Sequence, residues 1–154
     1  MSFVATAPAE PLPPINSHPF WPAIEPDECR QLMDLDGNVT NARLVFVLTE
    51  AIVSVNADLK CWRKQLEQAG VPSLDAIVDE EAPVAPSRLV YLYQRAVCER
   101  AHAELIERYL RYDATGEGTA TADELQATAD NHRRNSFYAV RDLKGEPRST
   151  MELL

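Results

Sequence analysis

The side chains best suited to chemistry by type are three cysteines, three histidines and one acidic, glycine-containing stretch. That stretch, Asp113-Ala-Thr-Gly-Glu-Gly-Thr-Ala-Thr-Ala-Asp-Glu124, has an acid at position one, Gly118 at position six and Glu124 at position twelve. Those are the fixed points of a calcium loop. Thr115 and Glu117 depart from it at positions three and five, where Asp or Asn is wanted, and no partner loop is evident. An ordinary linker closed by a Thr119 or Thr121 helix cap is the better reading.

The other candidates fare no better. Cys29, Cys61 and Cys98 are more than thirty residues apart and form no CxxC, so with only His18, His102 and His132 beside them they do not make a zinc ligand set. They read as small packing residues in a reducing compartment. His102 and Glu104 are two apart, a spacing that sends them to different helix faces, and His132 stands next to Arg133. Asp79, Glu80 and Glu81 suit a solvated turn better than a general acid and base, because nothing apolar nearby would raise a carboxyl pKa. HExxH, GxSxG and a phosphate loop are absent, so neither catalysis nor a cofactor is expected. Arg133, Arg134, Arg141, Lys144 and Arg148 form the one basic concentration. It suits a DNA backbone, an acidic partner or the local offset of Asp130, Asp142 and Glu146, but lacks the stacking aromatics of an autonomous nucleic-acid binder.

The elements that would hold these residues follow from composition and period. The 154 residues suffice for one domain with its own core. Fifteen basic against 24 acidic side chains, a formal charge of −9, disfavour a general phosphate-binding surface and suit solubility. The start MSFVATAPAEPLPP has no basic region or sustained apolar core, and the most apolar run, Arg43 to Val55, is broken by Thr49 and Glu50. Secretion and membrane insertion are therefore disfavoured.

Residues 1–24 carry Pro8, Pro11, Pro13, Pro14, Pro19 and Pro22 and read as an extended arm. Phe20 and Trp21 within it need cover, from the chain's own helices or from a neighbouring subunit. Pro26 opens a short helix to about Met33, and LDGNVT is a turn. Thr40 caps a long helix from Asn41 to about Ala69, closed by Gly70 and Pro72, with Leu44, Leu48, Ala51, Val55, Leu59, Trp62, Leu66 and Ala69 on one face. Ser73 caps a helical turn, and DEEAPVAP is exposed. A second long helix runs from Ser87 to about Tyr112 on Leu89, Leu92, Tyr93, Ala96, Val97, Ala103, Ile106 and Leu110, with Arg95, Arg100, Arg108 and Arg111 on a solvated face. A third, from about Ala120 to Lys144, has the thinner stripe Leu125, Ala129, His132, Ser136, Ala139, Val140 and Leu143. The fold class is all-α: an antiparallel bundle of three main helices with short accessory helices and extended termini. The organisation is an arm at 1–24, a helical domain at 25–146 and a tail at 147–154.

The segments FWPAIEPDECRQLMDLDGNVTNARL, AIVSVNADLKCWR and LVYLYQRAVCERAHAELIERYLRYDA, in that order, resemble the head completion or stabilisation proteins of P2-like tailed bacteriophages. The match covers about residues 18 to 148. The resemblance implies a structural virion protein with no catalytic, cofactor or metal site. Such a protein joins the portal vertex after DNA packaging, stabilises the filled head and forms a connector layer for tail attachment. The implied partners are the portal protein, copies of the chain in a ring of twelve, a tail or tail-completion protein and packaged DNA by non-specific proximity, with no membrane. The implied location is the host cytoplasm during assembly and then the virion. Phe20, Trp21, Pro22, Ile24 and Pro26 match the family's aromatic entry segment. Arg43, Leu44, Asn56, Leu59, Tyr93, Arg95, Ala96, Tyr109 and Arg111 match its long-helix pattern. In that frame Asn56 bonds an adjacent helix or loop, and Arg95 and Arg111 link helices or subunits. Phe20, Trp21, Arg95, Arg111, Arg148, Met151, Leu153 and Leu154 are the candidate portal or intersubunit contacts. The alternative is a helical adaptor or regulatory protein-binding module, which would have a defined partner in its free state and no portal-dependent ring.

Overall fold

The structure, a computed structural model, describes residues 10–35, 37, 39–78, 87–110 and 119–148. Helix α1 spans Pro26–Leu32, α2 Asn41–Gln68, α3 Arg88–Leu105 and α4 Thr119–Lys144. A 3-10 turn at Leu74–Ala76 follows α2, and α3 widens into a π-helical turn at Ile106–Leu110. The described residues are thus all-α, with one isolated antiparallel bridge between Ile15 and Ile24. The acidic Pro-rich stretch and residues 113–118 of the calcium-like loop lie outside the described residues. Thr121 sits inside α4 and so is not its cap.

Local chemistry sets the helix ends. Pro26 takes the first position of α1, where a missing N–H costs nothing. Thr40 Oγ1 accepts from Arg43 N at 3.3 Å, so that cap acts as the sequence suggests, and Ser87 Oγ, accepting from Val90 N at 3.3 Å, caps α3 as well. Ser73 makes no such bond, and only a three-residue turn follows it. Gly70 and Gly145 close α2 and α4 at φ +87° and +70°, values that favour glycine.

α3 is the central element. α4 packs antiparallel along it and α2 packs antiparallel on its other flank, while α2 and α4 touch each other little. The α2 face towards α3 is wider than one apolar stripe, since Val47 and Ile52 are buried alongside Leu44, Leu48, Ala51, Val55 and Leu59. The α4 face is thin and made largely of small residues: Ala129, Ser136 and Ala139 are buried, with Val140 and Leu143 at one end. Small side chains let two helix backbones approach closely, which fits the length of the α3–α4 contact.

The described part of the arm, residues 10–24, lies on this body. Ile15 and Ile24 exchange backbone bonds of 2.8 and 3.0 Å, Leu12 N donates to Asp27 Oδ2 at 2.9 Å, and Leu74 N donates to Phe20 O at 2.9 Å. Phe20, Trp21 and Ile24 join the same core as the three long helices. No helix among the described residues is long and apolar enough to cross a membrane.

Candidate functional site

Three groupings of polar and aromatic residues surround α3. The first joins the arm to the bundle. Trp21 stacks on Tyr93 with ring centroids 4.9 Å apart and lies 6.5 Å from Trp62. The Tyr93 hydroxyl donates to Asn56 Oδ1 at 2.8 Å, and Asn56 Nδ2 donates to Ser17 Oγ at 3.2 Å. Asn56 therefore ties α2 to both α3 and the arm. Burial, the largest influence, pushes the Tyr93 phenol up to about 12, so it stays a neutral donor. Phe20 is 1% exposed and Trp21 6% exposed. In the free chain both rings are covered by the chain's own core. Their need for cover is met inside the chain.

The second grouping is centred on Arg100. Its guanidinium donates to Asp58 Oδ2 at 2.7 Å and Ser54 Oγ at 2.8 Å on α2, and to Ser136 Oγ at 3.1 Å on α4. Ser136 in turn donates to the Ala96 carbonyl at 2.7 Å. Arg100 Nη2 is enclosed without a hydrogen-bond partner among the described residues, and the cation lies 5.3 Å from the Phe137 ring centroid. Arg100 thus binds three helices together instead of facing solvent as expected. Arg95, expected to link helices, pairs with Glu99 of its own helix at 3.8 Å and acts on Asp142 of α4 only through longer-range charge.

The third grouping lies on the opposite side of α3. A hollow of about 260 Å³ opens among the end of α1, α3 and α4, with Met33, Arg95, Cys98, Glu99, His102 and His132 in its lining. His132 Nδ1 donates to Glu99 Oε2 at 2.7 Å, and the rings of His102 and His132 lie 4.0 Å apart. Burial first, then the neighbouring His132, pushes His102 down to about 4, against a smaller pull from Glu99. Cys98 is buried beside Cys29, and that contact together with burial holds its thiol protonated. A neutral histidine, another hydrogen-bonded to a carboxylate and a protonated thiol are packing chemistry, with no activated nucleophile among them. Among the described residues no three His, Cys, Asp or Glu side chains are placed to hold a metal ion. Cys61 is exposed on α2, so it is not the packing residue expected.

Of the remaining predicted contacts, Arg148 is at the surface. It donates through Nε to Asp142 Oδ1 at 2.9 Å and lies 5.1 Å from the Tyr138 ring centroid. The pairing holds the Asp142 carboxyl below its ordinary range. Arg111, Met151, Leu153 and Leu154 lie outside the described residues.

One surface feature escaped the sequence reading. The side of α2 turned away from the core carries Ala42, Phe46, Thr49, Val53 and Ala57 at helical spacing, all exposed. Phe46 is 44% and Val53 61% exposed. Arg43 and Glu50 are the only charged residues from Asn41 to Ala57. The apolar run at Arg43–Val55 was visible in sequence, and the signal lay in its having too many apolar positions for one buried face.

Comparison with known proteins gives one consistent result. A family model described as phage head completion protein (GPL) matches residues 15–154. The head completion/stabilization protein of Escherichia phage P2 is 34% identical over 145 residues, covering 94% of this chain and 85% of that protein. No solved structure matches.

Proposed function

From the premise that this chain belongs to the phage head completion protein family, we propose that it joins the portal vertex after DNA packaging and forms the layer on which the tail is mounted. The family is structural and not enzymatic. In this reading the helical body, residues 25–146, repeats around the vertex as a ring of twelve copies, and residues 147–154 form a tail that reaches the portal. Arg95, Arg111, Arg148, Met151, Leu153 and Leu154 contact the portal or the next copy. The formal charge of −9 keeps packaged DNA from sticking to the layer as it passes.

The observation that supports repeated contacts is the outer face of α2. A helix that is apolar on both its inner and outer faces is a helix that ends up covered. Ring closure then lets each contact be weak, because neighbours raise one another's effective concentration.

The test is nuclease-protected DNA in packaged heads that lack this protein, before and after adding it back purified. Retention that rises with dose and saturates near one ring per head is the expected result. Unchanged retention with folded protein and intact heads overturns the reading and puts a helical adaptor in its place. Removal of residues 147–154 should sharply weaken portal association with the bundle still folded.

A further inference from the structure

The outer face of α2 changes character along its length. Ala42, Phe46, Val53, Ala57, Lys60 and Lys64 fall within one stripe at helical spacing, and all are exposed. The first half of the stripe is apolar, and the second half carries the two lysines. The Arg108 guanidinium lies 5.5 Å from the Phe46 ring centroid and steadies that ring without covering it, since Phe46 stays 44% exposed. The stripe is thus a ridge with an apolar crest and a cationic end.

The hollow among α1, α3 and α4 is its counterpart in shape and in charge. Exposed Leu32 and Tyr91 stand at the edge, over Met33 and Cys98. The charged lining is Asp34, Arg95 and Glu99, an excess of one carboxylate, and Glu28 adds a negative charge that acts on Cys98. At about 260 Å³ the hollow is smaller than the roughly 300–1,000 Å³ of small-molecule sites and suits one or two side chains. Phe46 and Val53 are about 10.5 Å apart along α2, within the about 16 Å that separates Tyr91 from His102 along α3. No residue of α2 lines the hollow, so the ridge and the hollow lie on different sides of the chain, and one copy does not fill its own hollow with its own ridge.

We propose that the partner of the α2 ridge is the α1–α3–α4 hollow of a second copy, with Phe46 and Val53 against Leu32, Met33 and Tyr91, and Lys60 and Lys64 towards the acidic side. This contact rests on the reading of the chain as a repeated component of the head. Two unlike faces that fit each other leave one of each free in any pair, so the contact passes from copy to copy instead of stopping at two. From Ala42 to Lys64 the ridge is about 33 Å long and about 10 Å wide, about 330 Å² in all, well short of the about 800 Å² that each partner buries in a stable complex. The contact is therefore made between copies already held side by side, and the charge of −9 on each chain opposes it in free solution.

Short-range thiol crosslinking on heads loaded with purified variants tests the pairing. In a Cys61→Ser background, which removes the exposed thiol, one chain carries Val53→Cys and another Tyr91→Cys, both at exposed positions. A bifunctional maleimide should give covalent dimers only where the two chains are mixed, and a ladder of larger species from a chain carrying both substitutions. Lys60→Glu with Lys64→Glu should lower the yield severalfold, and Lys60→Arg with Lys64→Arg should leave it unchanged, which separates charge from folding. Dimers from the Val53→Cys chain alone would mean that the ridge meets its own kind, and no dimers from the mixture would mean that another surface covers it. Either result overturns the pairing. Where the wild-type chain restores DNA retention and these crosslinks fail, the head-completion reading stands and the pairing alone falls. Failure of retention itself sinks both.

Discussion

α2 and α4 are nearly equal in length, 28 and 26 residues, and both lie antiparallel on α3, yet they are attached by different physics. α2 is held by branched aliphatic side chains on a broad buried face, with more apolar surface left over on its outer side. α4 has few large buried groups and is held by close approach through Ala129, Ser136 and Ala139. Polar links reinforce it: Glu99 to His132, Glu107 to Arg133 at 2.7 Å, and Arg100 to Ser136. Hydrophobic burial is non-directional, so most of the hold on α2 has latitude in its fit, with the bonds of Asn56 to Tyr93 and of Ser54 and Asp58 to Arg100 pinning it at those points. Hydrogen bonds and close backbone packing fix register, so α4 is fixed specifically but answers to pH and to volume.

The difference can be broken experimentally. The largest effect belongs to the α2 interior, where Leu48→Ala should cost about 2–5 kcal/mol of unfolding free energy by urea titration. A cost near zero would mean that α2 is not held by burial. On α4, Ala139→Leu should cost about 1–3 kcal/mol, because no space for three further carbons exists where Ala139 is fully enclosed. Tolerance of leucine there would disprove the close approach of α3 and α4.

Acid should act through the α3–α4 contact. His102 is held down to about 4 in the folded chain, against about 6.5 for an unfolded histidine. The unfolded state therefore binds more protons between those values, and stability should fall as pH drops through that window. The loss should be on the order of 1–2 kcal/mol, allowing for the side chain's partial solvent access. Comparing urea midpoints with those of His102→Gln at pH 7 and pH 4 isolates this group, and parallel profiles would remove it from the account. The smallest effect on stability is expected on the outer face of α2. Phe46→Ser with Val53→Ser should change folding by less than about 0.5 kcal/mol, while weakening self-association on heads. A large loss of folding would show that this face is already part of the core.

The sequence made α2 more legible than α4 for the same reason. Burial leaves a period, and Leu44, Leu48, Ala51, Val55 and Leu59 can be read without knowing what they touch. The caps at Thr40 and Ser87 and the stops at Gly70 and Gly145 are equally local. Ion pairs between helices leave no period. Whether Arg95 or Arg100 reaches across α3 depends on the register of both neighbours, so the arginine that binds three helices was read as solvated and the one left at the rim as a link. The same limit applies to His102 and His132, thirty positions apart in sequence and 4.0 Å apart in space. Phe20 and Trp21 announced that they needed cover, but only their seat against Tyr93 and Leu74 says which surface supplies it.

The stacking of Trp21, Trp62 and Tyr93 has an optical consequence. The chain contains two tryptophans, and both stand in this one cluster. Indole emission thus originates from the corner where the arm meets α2 and α3. Lifting the arm will shift that emission to longer wavelength as the indoles meet water, whereas fraying of α4 alone will leave it dark to the spectrometer.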